Sequence, residues 1–385
     1  MKPFVVFCIL TIASFFPLMA VAQNQEEVFS IATLNVDGLP DKLLIFSINP
    51  EGPGGAYTPV ISEYLAGKGY DFIAVQENFN FNAELCSKLD ANYQHDLWPG
   101  DMKVESFDFD MMSFPYDGLN SFWRSGLTVE RTDSVKWAVG CGLVDHCNDL
   151  LATKGFRRYD VTLKGGSQIV VYNMHMDATD EKDELTGADR EDREARMVQW
   201  RQLRDTLLNC LDSRPVVVCG DMNSFYARDS IKSVFIDSIQ STGLATADDA
   251  WIALKCNGEY PVIKMTDELY KNEEGYYVWS NNGEALDKIL YINPTGGSQL
   301  VPLGIELDSI NYVRSDGTPL GDHWPLAATF RILPPAITQV TSHQLSPQQA
   351  ADSGYYTLDG RRFDGRPTKK GVYIYKGKKV LLHHF

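Results

Sequence analysis

"VVVCGDMNS", residues 216–224, begins with four small apolar side chains and breaks at Gly220 into a carboxylate, Asp221, and an amide, Asn223. A run of that kind fits a strand buried within a sheet, since both of its faces can meet apolar neighbours. Polar side chains placed just past such a strand sit at the rim of the sheet, where a rigid element can aim them at a ligand. The glycine between the two parts allows close approach of another backbone.

The same pattern recurs outward from this stretch. "VFSIATLNV" (28–36) and "YDFIAVQE" (70–77) are apolar runs of strand length, the second preceded by a helix around "PVISEYLA" and a Gly67-Lys68-Gly69 break. "RRYDVTL" and "SQIVVYNMHM" flank Lys164-Gly165-Gly166 and read as a hairpin. Met197, Trp200, Leu203 and Leu207 recur at helical spacing and predict a helix from about Glu191 to Asn209. "LDKILYI" and "PLAATFRI" supply further strands. Alternating strands and helices with hairpins among them call for both parallel and antiparallel pairing.

Polar residues mark the strand ends. Asn35 ends the first strand, Glu77 the second, His175 and Asp177 another; Asp287 opens "DKILYI", and Asp322-His323 precede the last strand. Singly, each has an ordinary explanation: Asn and Asp form turns, a loop Glu is solvated, and a lone His is structural. Together, oxygen donors on neighbouring strand ends suit a hard divalent cation such as Mg²⁺, and two histidines beside carboxylates suit proton transfer.

The rest of the chain sets bounds. Its 385 residues, 44% hydrophobic and 22% charged, suffice for one large core plus a small appendage. Residues 1–22 read as a signal peptide: Lys2, an apolar stretch from Phe4 to Met19, and Ala20-Val21-Ala22 as a small-x-small cleavage site, so the protein is expected to be exported, secreted or held at the cell surface. In an oxidising compartment Cys141 and Cys147, which flank "GLVDH", could pair, whereas Cys219 in its apolar strand is expected to stay a buried thiol. No Cys-x-x-Cys spacing points to structural zinc. Residues 354–385 carry eight Lys or Arg against Asp359 and Asp364, a balance of +6; with that and Lys2 set apart, residues 23–353 hold −23 of a chain total of −16. A body so acidic repels a phosphate backbone in the absence of cations, so nucleic acid is the less favoured partner.

In the order "TLNV", "VQE", "NMHMD", "GDMNS", "LDKI" and "GDHWPL", spanning Ser30 to Phe330, the chain resembles the endonuclease/exonuclease/phosphatase superfamily, DNase I-like, which includes pancreatic deoxyribonuclease, abasic-site endonucleases, inositol-phosphate phosphatases and neutral sphingomyelinases. The resemblance implies an α/β fold, a four-layered α/β/β/α sandwich of two mixed β-sheets packed face to face with outer helices, occupying residues 23–333. It implies a metal-dependent phosphodiesterase in which Asn35 and Glu77, with Asp322, hold Mg²⁺ (or Mn²⁺ or another divalent cation). His323, oriented by Asp287, takes the proton of the attacking water or steers it; Asp221 aligns that nucleophile; Asn223 and His175 donate to the phosphoryl oxygens.

For the substrate, several nucleases of the superfamily carry an Arg two residues after the metal-binding Glu, where this chain has Phe79. "QENF" and "DLLATKGFRRYDVTL" (149–163) are instead similar to the sphingomyelinase-like branch. Met111, Met112, Phe114, Tyr116, Phe122 and Trp123 offer side chains that either dip into a lipid interface or pack in the core. The favoured expectation is phospholipase C-type action on sphingomyelin or a related phospholipid, by a monomer without a stable protein partner. The alternatives are a secreted nuclease or phosphatase of soluble phosphoesters, and a non-catalytic binding protein on the same scaffold. After a Pro-, Ser-, Thr- and Gln-rich linker at 334–353, residues 354–385 resemble the C-terminal sorting module of exported Bacteroidetes-type proteins, through "LDGRR", "GVYIY" and "GKKVLL", with a two-strand ending expected.

Overall fold

The computed structural model describes residues 27–43, 46–132, 134–142, 146–178, 188–261, 269–271, 277–279, 285–335, 354–357, 361–363, 365–369, 371–375 and 378–382. The expected signal peptide and most of the expected linker lie outside the described residues. The chain divides into two compact units, residues 1–335 and 336–385.

In chain order the strands of the first unit's two large sheets are β1 (Glu27–Asn35), β2 (Phe72–Gln76), β3 (Tyr93–His95), β4 (Asn120–Arg124), β5 (Thr128–Arg131), β6 (Val135–Lys136), β7 (Gly155–Thr162), β8 (Gln168–His175), β9 (Val216–Asp221), β10 (Ala245–Asp249), β11 (Asp287–Pro294), β12 (Gln299–Leu307) and β13 (Leu326–Leu333). They form a six-stranded sheet ordered β12-β13-β1-β2-β4-β3 and a seven-stranded one ordered β10-β11-β9-β8-β7-β5, with β6 on β7. Both are mixed: β1 runs parallel to β2 and β8 parallel to β9, while β1 on β13, β7 on β8 and β9 on β11 are antiparallel.

Alternation along the strands explains the layering. In β9, Val217 and Cys219 point into an apolar layer shared with Phe29, Ile31 and Phe72 of the first sheet, whereas Val216 and Val218 point to the opposite face. That opposite face is covered by Trp200, Leu203 and Leu207 of the helix α3 (Ala188–Asn209), which appears where its apolar spacing predicts one. The outer face of the first sheet packs on Ile61 and Leu65 of α1 (Gly54–Lys68) and Leu85 and Leu89 of α2 (Asn82–Leu89). The result is the expected α/β/β/α sandwich. Gly69, at φ 68°, ends α1 in the left-handed conformation that a glycine adopts cheaply.

Two sequence expectations change. Cys141 is a free thiol rather than half of a disulfide; its backbone N–H donates to Asp177 Oδ2 at 2.6 Å, and the side chain of Cys147 lies outside the described residues. The aromatic stretch also divides. Phe114, Phe122 and Trp123 are buried, Tyr116 is half-buried, and Met111 and Met112 are exposed. Phe122 and Trp123 belong to β4, which is paired on both sides, so the exposed apolar residues of the stretch are those of the loop ahead of it.

The second unit holds β14 (Tyr355–Tyr356), β15 (Arg362–Phe363), β16 (Gly371–Tyr375) and β17 (Lys378–Leu382) in one antiparallel sheet ordered β15-β14-β16-β17. The expected final hairpin is present, and two further short strands extend it.

Candidate active site

The strand registers bring the polar ends together. Asn35 ends β1 opposite Gln76, so Glu77 emerges next to it. In the other sheet, His175 ends β8 opposite Asp221 at the end of β9, and Asp221 in turn faces Asp287 at the start of β11. Gly220 is required for this crowding. Its φ is 146°, and a Cβ there would stand 1.9 Å from the Met174 carbonyl oxygen.

The side chains form a continuous polar cluster. Asn35 Nδ2 donates to Glu77 Oε1 at 2.9 Å and to Asp221 Oδ2 at 3.1 Å, while Asn35 Oδ1 accepts from the Asp37 N–H at 2.9 Å. His175 Nε2 lies 3.4 Å from Asp221 Oδ2 and 3.8 Å from Glu77 Oε1. His323 Nε2 stands 3.5 Å from the same Asp221 oxygen, and its Nδ1 is bound to Asp287 Oδ2 at 2.8 Å. Asp37, Glu77 and Asn223 all have left-handed φ values, 50°, 54° and 46°, a conformation that costs non-glycine residues energy and concentrates at functional sites.

Electrostatics follow from the burial. Asp221 is buried, which by itself would raise its carboxyl, yet His323, His175 and Lys154 together hold it well below the usual carboxylate range. Burial works to lower the His323 imidazole, but Asp287 and Asp221 outweigh it and push it up to about 11. Asp37 is pushed up to about 7 by burial and by the neighbouring charges of Asp322 and Glu77. Asp322 lies at the exposed lip; partial desolvation by the surrounding wall, and then the charges of Glu77 and Asp221, raise its carboxyl.

Of the residues singled out in the sequence, Asn35, Glu77, His175, Asp221, Asp287 and His323 are joined by these contacts. Asn223 is adjacent: its N–H donates to Asp221 Oδ1 at 3.0 Å, and its Nδ2 donates one of its two hydrogens to the Met176 carbonyl at 3.1 Å. Several residues were missed. Lys154 is buried and ion-paired with Asp149, and the charges of Asp149, Glu77 and Asp177 outweigh the cost of burial and raise its ammonium. Asn173, fully buried in β8, donates to the carbonyls of Val75 (3.1 Å) and Asn120 (2.8 Å) and accepts from Gln76 Nε2 (2.7 Å), latching the two sheets behind the rim. A polar residue in the apolar run "IVVYNM" was the available signal for Asn173, and a lysine opening a strand that for Lys154.

The cluster fits a divalent cation. One oxygen each from Glu77 and Asp221 and a nitrogen of His175 lie within 4.8 Å of one another, as do donor atoms of Asp221, Asp287 and His323. Two carboxylates sharing a single amide donor give an anionic pocket with oxygen and imidazole ligands, which suits such an ion. Beside Glu77, Asp149 and Lys154 opens a cavity of about 320 Å³, whose apolar wall includes Phe79, Met102, Phe114 and Leu151.

Two face-to-face mixed sheets with outer helices and a shared polar rim are the architecture of the DNase I-like fold. No protein-family model matches the chain. Sphingomyelinases of Mycobacterium bovis and Mycobacterium tuberculosis are each 28% identical to it over 310 residues, covering 78% of this chain and 52% of theirs. The chain thus spans about half the length of the curated relatives it matches. Among solved structures, truncated Caenorhabditis elegans TDP2 superposes with a TM-score of 0.50 at 16% identity, over 79% of this chain and 97% of that one.

Proposed function

We propose that this chain is an exported, Mg²⁺-dependent phosphodiesterase that hydrolyses sphingomyelin or a related phospholipid in the manner of a phospholipase C. The observation that carries the reading is the convergence on Asp221 of His175, His323 and, through Asn35, Glu77, drawn from both sheets. Glu77, with Asn35 and Asp322 beside it, would hold the cation, which supplies charge neutralisation to a phosphoryl oxygen. Asn35 Oδ1 accepts the Asp37 N–H with one lone pair and has a second for a cation. His323 exchanges a proton with water through Nε2, because Nδ1 is committed to Asp287. Asp221, accessible to that same nitrogen, orients the water. His175 Nε2 donates to the phosphoryl group, and the Lys154 ammonium adds a fixed positive charge beside Glu77.

Three observations favour a lipid. The matched relatives are named sphingomyelinases. Phe79 is buried in the wall of the cavity, with no guanidinium there to meet a nucleic-acid phosphate. Phe107 packs between the exposed Phe109 (centroids 5.1 Å apart) and the cavity-lining Phe114 (5.0 Å), so aromatic contact continues from a solvent-facing loop to the cavity. With Met111 and Met112 exposed on the same loop, the surface suits contact with acyl chains. Purified protein with Mg²⁺ should release phosphocholine from sphingomyelin, and EDTA should stop it. Turnover of plasmid DNA or a soluble aryl phosphodiester in place of lipid would move the assignment to a nuclease or phosphatase, and no turnover of any would leave a binding protein. Residues 1–22 and 354–385 are assigned export and sorting. Removing residues 345–385 should redirect the protein without loss of catalysis, and unchanged secretion would refute the sorting role.

A further inference from the structure

None of the residues in a second group of metal-competent side chains belongs to the rim cluster. Cys86 on α2 and Asp90 at its C-cap are four residues apart and share a helix face, and His95 ends β3. A thiol sulfur, a carboxylate oxygen and an imidazole nitrogen from these three lie within 4.8 Å of one another. His95 Nε2 is 3.5 Å from Asp90 Oδ1. Its Nδ1 is 2.6 Å from the Asp96 carbonyl oxygen, which places the proton on Nδ1 and turns the Nε2 lone pair toward the group. Asn82 Nδ2 donates to Cys86 Sγ at 3.5 Å and helps orient the sulfur. Cys86 is buried, while the side chains of His95 and Asp90 are 30% and 59% exposed, leaving an entry path.

We propose that Cys86, Asp90 and His95 form a binding site for a borderline-soft divalent cation, Zn²⁺ foremost, with a fourth position open to water. Zinc bond lengths to S, N and O place tetrahedral ligand atoms about 3.3–3.6 Å apart, which the His95–Asp90 spacing already meets. A thiolate ligand disfavours Mg²⁺ and so separates this site from the oxygen-rich rim. Binding breaks the S–H bond of Cys86, forms the sulfur–metal bond and releases the proton to solvent; the thiol otherwise keeps that proton, since burial and Asp90 push it up to about 12. The site would clamp α2 to β3. It also lies on the hydrogen-bond chain behind the Glu77 loop, because Asn82 Oδ1 accepts from Asn78 Nδ2 at 2.6 Å and from Asn120 Nδ2 at 3.0 Å.

Cobalt substitution tests this on the full chain, because the rim offers no sulfur. Metal-stripped protein titrated with Co²⁺ should develop a sulfur-to-cobalt charge-transfer absorption, saturating at one equivalent and displaced by Zn²⁺. Cys86→Ser should abolish it. His95→Gln and Asp90→Asn, at solvent-accessible positions, should each weaken Zn²⁺ binding by about 100-fold, at least the loss typical of perturbing a metal's supporting contacts. Absence of the absorption in the wild type, its persistence in Cys86→Ser, or unchanged Zn²⁺ affinity in both His95→Gln and Asp90→Asn would overturn the proposal. The last measurement decides the matter even if Cys86→Ser does not fold.

Discussion

The two sheets contribute to the rim in the same way and to different effect. Each delivers polar residues from the ends of one parallel strand pair, β1–β2 in the first and β8–β9 in the second, to which β11 adds Asp287 and the segment ahead of β13 adds Asp322 and His323. The second sheet's residues are sealed: His175 and Asp221 are each 1% exposed, and Asp287 faces Asp221 across an antiparallel ladder. On the first sheet, Glu77 sits past the strand end at a strained φ with a side chain 20% exposed. Fixed charge in a dry setting suits the proton-handling residues, whose environment sets their protonation. A carboxylate at the wet edge suits a ligand that exchanges solvent for a cation.

That division can be broken from either side. Among the proton-handling residues, Asp221→Ala on the sealed side, or His323→Ala at its half-buried position ahead of β13, should lower turnover by roughly 10³-fold or more with the fold intact by circular dichroism. Wild-type rates in either variant, measured on the same substrate panel, would end the assignment. On the open side, Glu77→Gln should raise the Mg²⁺ concentration for half-maximal rate about 100-fold, and excess metal should restore most of the activity; a loss that no metal concentration repairs would place Glu77 with the proton-handling group instead.

The latch between the sheets should answer in stability. Asn173→Leu leaves the Val75 and Asn120 carbonyls without their donor and should cost about 2–3 kcal/mol in denaturant unfolding. A change near zero would mean that apolar packing alone aligns the two halves of the rim.

The smallest effect concerns pH in the protein stripped of metal by EDTA. The His323 imidazole is raised from 6.5 to about 11 in the folded chain. Its contribution to stability is therefore complete below about 6.5 and is lost as pH rises through about 11. The wild type should lose more thermal stability than His323→Gln between pH 7 and 11, and parallel curves would contradict the buried charge pair.

β1, β2, β7, β8, β9, β11 and β13 were legible because burial on one or both faces leaves a trace in the residues themselves, as in "VVVCGD" and in the apolar spacing of α3, whereas β3 to β6, β10 and β12 were not. The rim candidates were legible because strand ends are visible and Asn, Asp, Glu and His are conspicuous there. Lys154 escaped notice because a lysine ahead of a strand looks solvated until Asp149 and Glu77 are placed around it. The short spacing of Cys141 and Cys147 left a disulfide open, although proximity in the chain does not align two thiols. The apolar side chains from Met111 to Trp123 divide between a loop, where Met111 and Met112 are exposed, and β4, where Phe122 and Trp123 are buried.

The sequence by itself determined which segments form strands and helices, the alternation that stacks them into an α/β/β/α sandwich, and the polar residues available where strands stop. Those are local properties, set by side-chain periodicity and solvent affinity. Tertiary structure alone decided that Asp221 faces Asp287 and His175 at once, that Asn173 joins the sheets, and that Cys86 meets His95 from another element. Strand register and sheet-on-sheet packing create those meetings, and both depend on contacts between residues distant in the chain, which no local pattern records.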